Sequence, residues 1–143
     1  MEISKGAYAG NTKITKIIIG KYVKIIQNNA FKGCTALTTV TFKGNALTTI
    51  KAGAFMNCKK LKKFTITKKV TTIGKNAFKG CVKLKTITIK SKLLTKKKTG
   101  KNAFSGIYKT ATFKQPSGLS KKKKTEYKAL LKKANIPAKA KIK

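Results

Sequence analysis

The sequence predicts a repeat solenoid built mainly of short β-strands and short turns, closed by a C-terminal α-helical cap. Three observations carry that prediction. A five-residue block, Ala-aromatic-x-Gly/Asn-Cys, recurs at near-constant steps along the chain. After each block apolar and polar residues alternate, the pattern of a strand with one buried face. Near the C-terminus the apolar period changes from that of a strand to that of a helix.

Taken in order, the blocks are Ala30-Phe31-Lys32-Gly33-Cys34, Ala54-Phe55-Met56-Asn57-Cys58 and Ala77-Phe78-Lys79-Gly80-Cys81, with weaker copies at Ala7-Tyr8-Ala9-Gly10-Asn11 and Ala103-Phe104-Ser105-Gly106-Ile107. The aromatics at 8, 31, 55, 78 and 104 are separated by 23, 24, 23 and 26 residues. Such a period falls in the range of leucine-rich repeats, about 20–29 residues. Three residues after each cysteine stands a leucine (Leu37, Leu61, Leu84), with Ile14 in the first copy. The inward strand pairs that follow are Ile17/Ile19, Val40/Phe42, Phe64/Ile66 and Ile87/Ile89. A second short apolar segment precedes each block: Val23/Ile26, Leu47/Ile50 and Val70/Ile73. The block itself is too short for a long helix and is expected to hold a short helical turn. One repeat cannot bury its own apolar face, so the repeats must stack.

The last repeat departs from this grammar. Thr99 stands where Ile73 would recur, and the strand Thr110-Ala111-Thr112-Phe113 is read as arriving two residues early. Beyond Pro116, Tyr127, Leu130, Leu131 and Ala134 are spaced as one helical face. Ser120 is placed to cap that helix, and Asn135 with Pro137 to end it. Lysines 121–124 oppose the helix dipole, so packing must hold the helix in place. The expected organisation is a solenoid of about five repeats over 1–114 and a helical cap with a basic tail over 115–143. The opening residues read as the middle of a repeat, so the chain is expected to be a fragment of a longer exported protein.

The copies of A-F-x-G-C-x-x-L-x-x-[VI]-x-[IF], joined by Val70-Thr71-Thr72-Ile73-Gly74-Lys75-Asn76 and its counterparts, resemble the BspA-like leucine-rich repeat family of bacterial surface proteins over roughly residues 6–114. The segment Tyr127-Lys128-Ala129-Leu130-Leu131-Lys132-Lys133 is similar to the end of lysine-rich surface proteins carrying these repeats. The resemblance implies a secreted or wall-attached location and adhesion to host or neighbouring-cell ligands. It brings no catalytic residues with it.

Composition narrows the chemistry. Of 143 residues, 36 are lysine, and arginine, aspartate, histidine and tryptophan are absent. Glu2 and Glu126 are the two acidic residues, giving a net charge of +34. No imidazole is present as base or ligand, and two carboxylates make neither a catalytic pair nor a calcium cage. The longest apolar run, Ile17-Ile18-Ile19, is far from a membrane span. A non-enzymatic protein without cofactor or metal is the expectation.

Cys34, Cys58 and Cys81 share one repeat position and should stack inward about 4.8 Å apart as free, buried thiols. The stretches Gly74–Gly80 and Gly100–Gly106 superficially suggest a phosphate loop, but no Gly-Lys-Ser/Thr ending follows, so they read as turns. Serines near lysines mean little when lysine is a quarter of the chain.

The outward strand positions are the candidate binding surface. Alternation places Thr39/Thr41/Lys43, Lys63/Thr65/Thr67, Thr86/Thr88/Lys90 and Thr110/Thr112/Lys114 outward, so Thr41, Thr65, Thr88 and Thr112 should form a column flanked by Lys43, Lys63, Lys90 and Lys114. Threonine is β-branched and suits any exposed strand. Hydroxyls beside ammonium groups also suit sulfate, phosphate or carboxylate oxygens. The expected partners are anionic polymers, such as wall teichoic acid and sulfated glycans, or host surface proteins, met by a monomer without membrane insertion. Nonspecific nucleic-acid binding and a structural spacer held to its own envelope are the rivals. The first has few aromatics to offer bases, since Tyr8, Phe31, Phe55, Phe78 and Phe104 are assigned to the core.

Overall fold

Each repeat contributes one long and one short strand, and like stacks on like in parallel. The computed structural model describes all of residues 1–143. The short strands are β1 (Glu2–Ile3), β3 (Ile25–Ile26), β5 (Thr49–Ile50) and β7 (Thr72–Ile73). The long ones are β2 (Lys16–Ile19), β4 (Thr39–Phe42), β6 (Lys63–Ile66), β8 (Thr86–Ile89) and β9 (Thr112–Lys114), followed by α1 (Lys121–Lys133) and β10 (Lys141–Ile142). The short strands form one continuous sheet, β1-β3-β5-β7, which an isolated bridge from Ile73 to Thr99 prolongs. The long strands form two sheets, β2-β4 and β6-β8-β9-β10. The fold is the expected solenoid, and the apolar residues predicted to face inward lie in one core.

The block between the strands forms no helical turn. Its N–H groups alternate instead between two uses. Ala30, Lys32 and Cys34 donate to the carbonyl three residues back, while Asn29, Phe31 and Gly33 donate to Ala52, Ala54 and Met56 of the next repeat. Sustaining this alternation needs two left-handed residues per block, as at Asn29 (φ 57°) and Gly33 (φ 74°). Asparagine and glycine occupy both positions because they tolerate that conformation best. Gly74 and Gly100 serve the stacking differently. A Cβ on Gly100 would lie 2.2 Å from the Lys75 backbone nitrogen, so the Gly-Lys-Asn segments are close-packed turns.

Two ladders run through the interior. Tyr8, Phe31, Phe55, Phe78 and Phe104 stack face to face with centroids 5.2–5.4 Å apart. Four of these rings are buried, whereas Tyr8, at the open end, is half exposed, so its assignment to the core is corrected. Beside them, Cys34, Cys58 and Cys81 are free and buried. Each thiol donates to the carbonyl of the ring residue one repeat back, at 3.0–3.2 Å.

The last repeat keeps register where the sequence reading moved it. Thr112 pairs with Thr86, Phe113 with Ile87 and Lys114 with Thr88. The step from ring to first inward strand residue explains this: 8 to 17, 31 to 40, 55 to 64, 78 to 87 and 104 to 113 are all nine. Phe113 consequently packs edge-on against Phe104 at 5.1 Å. The strand does not arrive early.

At the end, the Ser120 hydroxyl accepts from the Lys123 N–H, and Tyr127, Leu130, Leu131 and Ala134 are buried. The Tyr127 hydroxyl donates to the Ser91 carbonyl at 2.6 Å, fixing the helix to the fourth repeat. Phe104 then donates to Ala134 as Phe78 does to Ala103, so the helix end replaces the next block. The residues after the helix are more than a basic tail: β10 joins the long sheet, with Lys141 opposite Thr112.

Candidate functional site

The long-strand face carries the residues singled out from the sequence. Thr41, Thr65 and Thr88 each stand ten residues after a ring of the stack; Thr65 pairs with Thr88, and Thr41 lines one cavity with Thr65, so the three form a row. Lys114, not Thr112, continues it beyond Thr88. Thr112 belongs instead to the adjacent row of Lys63 and Thr86, because the nine-residue step sets the register from the buried ring. Thr41 is exposed, and Thr65, Thr88 and Thr112 are half-buried; Lys43, Lys63, Lys90 and Lys114 are all exposed. Thr67, also read as outward, is only 4% exposed, so that reading is corrected.

The hydroxyls divide into two kinds. Those just ahead of a strand are tied to backbone: Thr38 donates to Thr15, Thr48 to Lys24 and Thr71 to Thr48, at 2.9–3.3 Å. The hydroxyls of Thr41, Thr65, Thr88 and Thr112 bond to no other protein group, which leaves them available to a ligand. The two glutamates lie elsewhere. Glu2 accepts from Gln27, and Glu126 pairs with Lys123 at 2.9 Å, a hydrogen bond that lowers its pKa. A surface of 7846 Å² spreads the +34 charge at about one per 230 Å². Neighbouring charges thus sit about two Debye lengths apart at physiological salt.

Between β4 and β6 the sheet is open. Thr39 and Lys43 donate across to Thr15 and Ile19, and Thr86 and Lys90 donate across to Lys62 and Ile66. The counterparts, from Lys63 to Thr38 and from Thr67 to Phe42, are missing. Two cavities of about 520 and 400 Å³ run along this seam and share Val40 and Thr65. A third, of about 550 Å³, lies at the far end of the face beside Thr88, Lys90 and Gln115. Phe42, where three other repeats carry isoleucine, and Phe64, where three others carry isoleucine or valine and the last carries Phe113, meet edge to face across the seam at 5.6 Å. Sequence reasoning missed the seam, although those two rings and the additional residue between Phe42 and Leu47 were its signals.

Metal and thiol chemistry find little purchase. No group of three His, Cys, Asp or Glu side chains is arranged to hold a metal ion. Burial, then the neighbouring Cys58, pushes the Cys34 thiol up to about 11. The pKa of Cys58 is raised as well, through its Cys81 neighbour and through burial. Thiols held protonated in this way are poor nucleophiles and poor ligands.

A parallel two-strand coil with stacked rings, a cysteine ladder and leucines at fixed offsets defines a leucine-rich-repeat solenoid. The model of the BspA type leucine rich repeat region (6 copies) matches residues 1–132. The chain belongs to the BspA-type leucine-rich repeat family. No curated protein matches it. Among solved structures, it is similar to a leucine rich repeat protein of T. pallidum, with a TM-score of 0.71 and 23% identity over 83% of this chain and 54% of that one. It is also similar to a leucine-rich repeat protein of Bacteroides ovatus, with a TM-score of 0.70 and 24% identity over 99% of this chain and 39% of that one. The chain therefore spans about half or less of these relatives. Leucine-rich repeat families are generally protein-interaction modules and typically non-enzymatic, and BspA-type repeats often occur in surface proteins. No helix here is long and apolar enough to cross a membrane.

Proposed function

We propose that the chain is a non-enzymatic binding and adhesion module of a cell-surface or secreted protein, one that takes anionic polymers or anionic host and matrix ligands on its long-strand face. The observation that carries this reading is the row of Thr41, Thr65 and Thr88, whose hydroxyls are uncommitted and whose flanks are lysine. Charge draws a polyanion to the whole surface. The strand face then adds directed donors where a sulfate, phosphate or carboxylate oxygen would lie. Lysine without arginine offers point charges and no bidentate fork, which favours diffuse attraction over base-specific reading of DNA.

The test is a titration of a sulfated glycan, purified wall teichoic acid and duplex DNA at low and physiological salt. All three should bind at low salt, with affinity falling log-linearly as counterions are released. Sulfated glycan or teichoic acid should retain more affinity than DNA at physiological salt. Absence of any binding at low ionic strength, or a preference for DNA that survives salt, overturns the reading.

A further inference from the structure

The open seam between β4 and β6 is a polar groove of a kind found at no other junction of the long strands. Its walls follow from the pairing on either side. Thr39 and Lys43 spend their N–H groups on β2, so the N–H and C=O groups of Val40 and Phe42 turn toward β6. Likewise Lys62 and Ile66 spend their carbonyls on β8, so the backbone groups of Lys63, Thr65 and Thr67 turn toward β4. Unpaired donors and acceptors thus face each other along the strands. The Thr67 hydroxyl lies in the same groove, is shielded from solvent and has no hydrogen-bond partner. Buried polar groups normally have one, and leaving one unmade is costly. Lys62 and Lys63 line one end of the groove, and Lys43 and Lys90 the other.

Resting on the reading above, we propose that this seam is the specificity groove of the module and that its ligand is a sulfated or carboxylated glycan. The width excludes an inserted peptide strand: Cα atoms of β4 and β6 lie within 8 Å of each other, whereas a strand between them needs two spacings, about 9.6 Å. The mixture of exposed carbonyls and N–H groups excludes a ligand that only accepts. A phosphodiester backbone accepts and cannot donate to Val40 or Thr65 carbonyls. A sugar hydroxyl both donates and accepts, and sulfate or carboxylate groups on the same chain answer the lysines at the two ends. The bulk that holds the seam open is Phe42 against Phe64. An additional loop residue is not sufficient, because the fourth repeat has one between Ile89 and Leu94 and β8 still pairs on both sides.

The test uses the full chain and a size-defined heparin tetrasaccharide, its desulfated form, inorganic sulfate, an acidic peptide, wall teichoic acid and duplex DNA. In the free protein the Thr65 and Thr67 amides should exchange quickly by NMR, and the tetrasaccharide should protect them. Thr67→Val should weaken the tetrasaccharide about fivefold, the loss of one hydrogen bond, with DNA affinity and thermal stability undiminished. The double variant Phe42→Ile/Phe64→Ile should slow those amides in the free protein and abolish the preference for sulfated over desulfated sugar. Replacing Lys121, Lys122 and Lys124 with glutamine should weaken every polyanion alike. If polyanions bind but both seam variants match wild type, the seam is not the site and only the general reading stands. Slow Thr65 and Thr67 amides in the free protein, or tighter protection by the peptide, teichoic acid, DNA or sulfate alone, also overturn the proposal. If no polyanion binds, both readings fall.

Discussion

The two strand faces respond differently to the same irregularity. The second repeat is one residue longer than the first and third, and the additional residue lies in the loop from Phe42 to Leu47. On the short-strand face the register passes through undisturbed, with Ile26 opposite Ile50 and Ile50 opposite Ile73. There the buried Leu47 and Ile50 anchor each rung, Thr48 donates to Lys24 from both its N–H and its hydroxyl, and Asn28 accepts from Ala52. On the long-strand face β4 parts from β6. Its inward Phe42 carries a ring where three other repeats have isoleucine, and its Thr41 hydroxyl bonds no neighbour. One face is a redundant scaffold, in which the hydroxyls of Thr48 and Thr71 are each tied to backbone. The other is held mainly by its apolar side, which leaves its polar side free for a ligand.

The ring stack is what keeps the long face together where its ladder fails. Phe55 lies flat between Phe31 and Phe78 and meets Phe64 edge-on at 5.0 Å. Phe55→Ala should therefore cost about 3–5 kcal/mol by chemical denaturation. A loss below about 1 kcal/mol would mean that backbone pairing, and not the rings, joins the second and third repeats.

A smaller effect separates the two kinds of threonine. Thr48→Val removes a hydroxyl tied to the Lys24 carbonyl and should cost about 1 kcal/mol. Thr41→Val, on the open face, should stay within about 0.5 kcal/mol of wild type. Equal costs in the two unfolding curves would erase the distinction between a committed and an available hydroxyl.

The smallest effect concerns the thiol ladder behind both faces. Cys34 titrates higher in the folded chain than when unfolded, so its protonated form is the one folding favours. That contribution is complete below the unfolded pKa, near 9, and is lost as pH rises through about 11. The stability advantage of wild type over Cys34→Ala should accordingly hold at pH 8 and shrink by pH 10, measured by denaturation midpoints of both proteins. Reaction of the three thiols with a thiol reagent should be slow until denaturant is added.

Local periodicity determined most of the architecture without help. The alternation at Val40/Phe42 and Ile87/Ile89, the stacked rings, the inward cysteines and the helical face from Tyr127 to Ala134 all express one rule: a repeated apolar pattern can be buried only by stacking on its own copy. The lysine-only charge likewise follows from composition. Three features needed the tertiary structure. The row of free hydroxyls ends in Lys114 and not Thr112, because the buried ring nine residues ahead of Phe113 sets that strand, and Ile107 and Thr110, which stand where the three central repeats carry cysteine and leucine, hide the step. The return of Lys141–Ile142 to the sheet is invisible in two residues of sequence, since nothing but the exposed edge of β9 selects them. The seam depends on how Phe42 and Phe64 meet across two repeats, and alternation treats a phenylalanine and an isoleucine as the same apolar residue. Period is a property of one strand, whereas the width of a gap is a property of two.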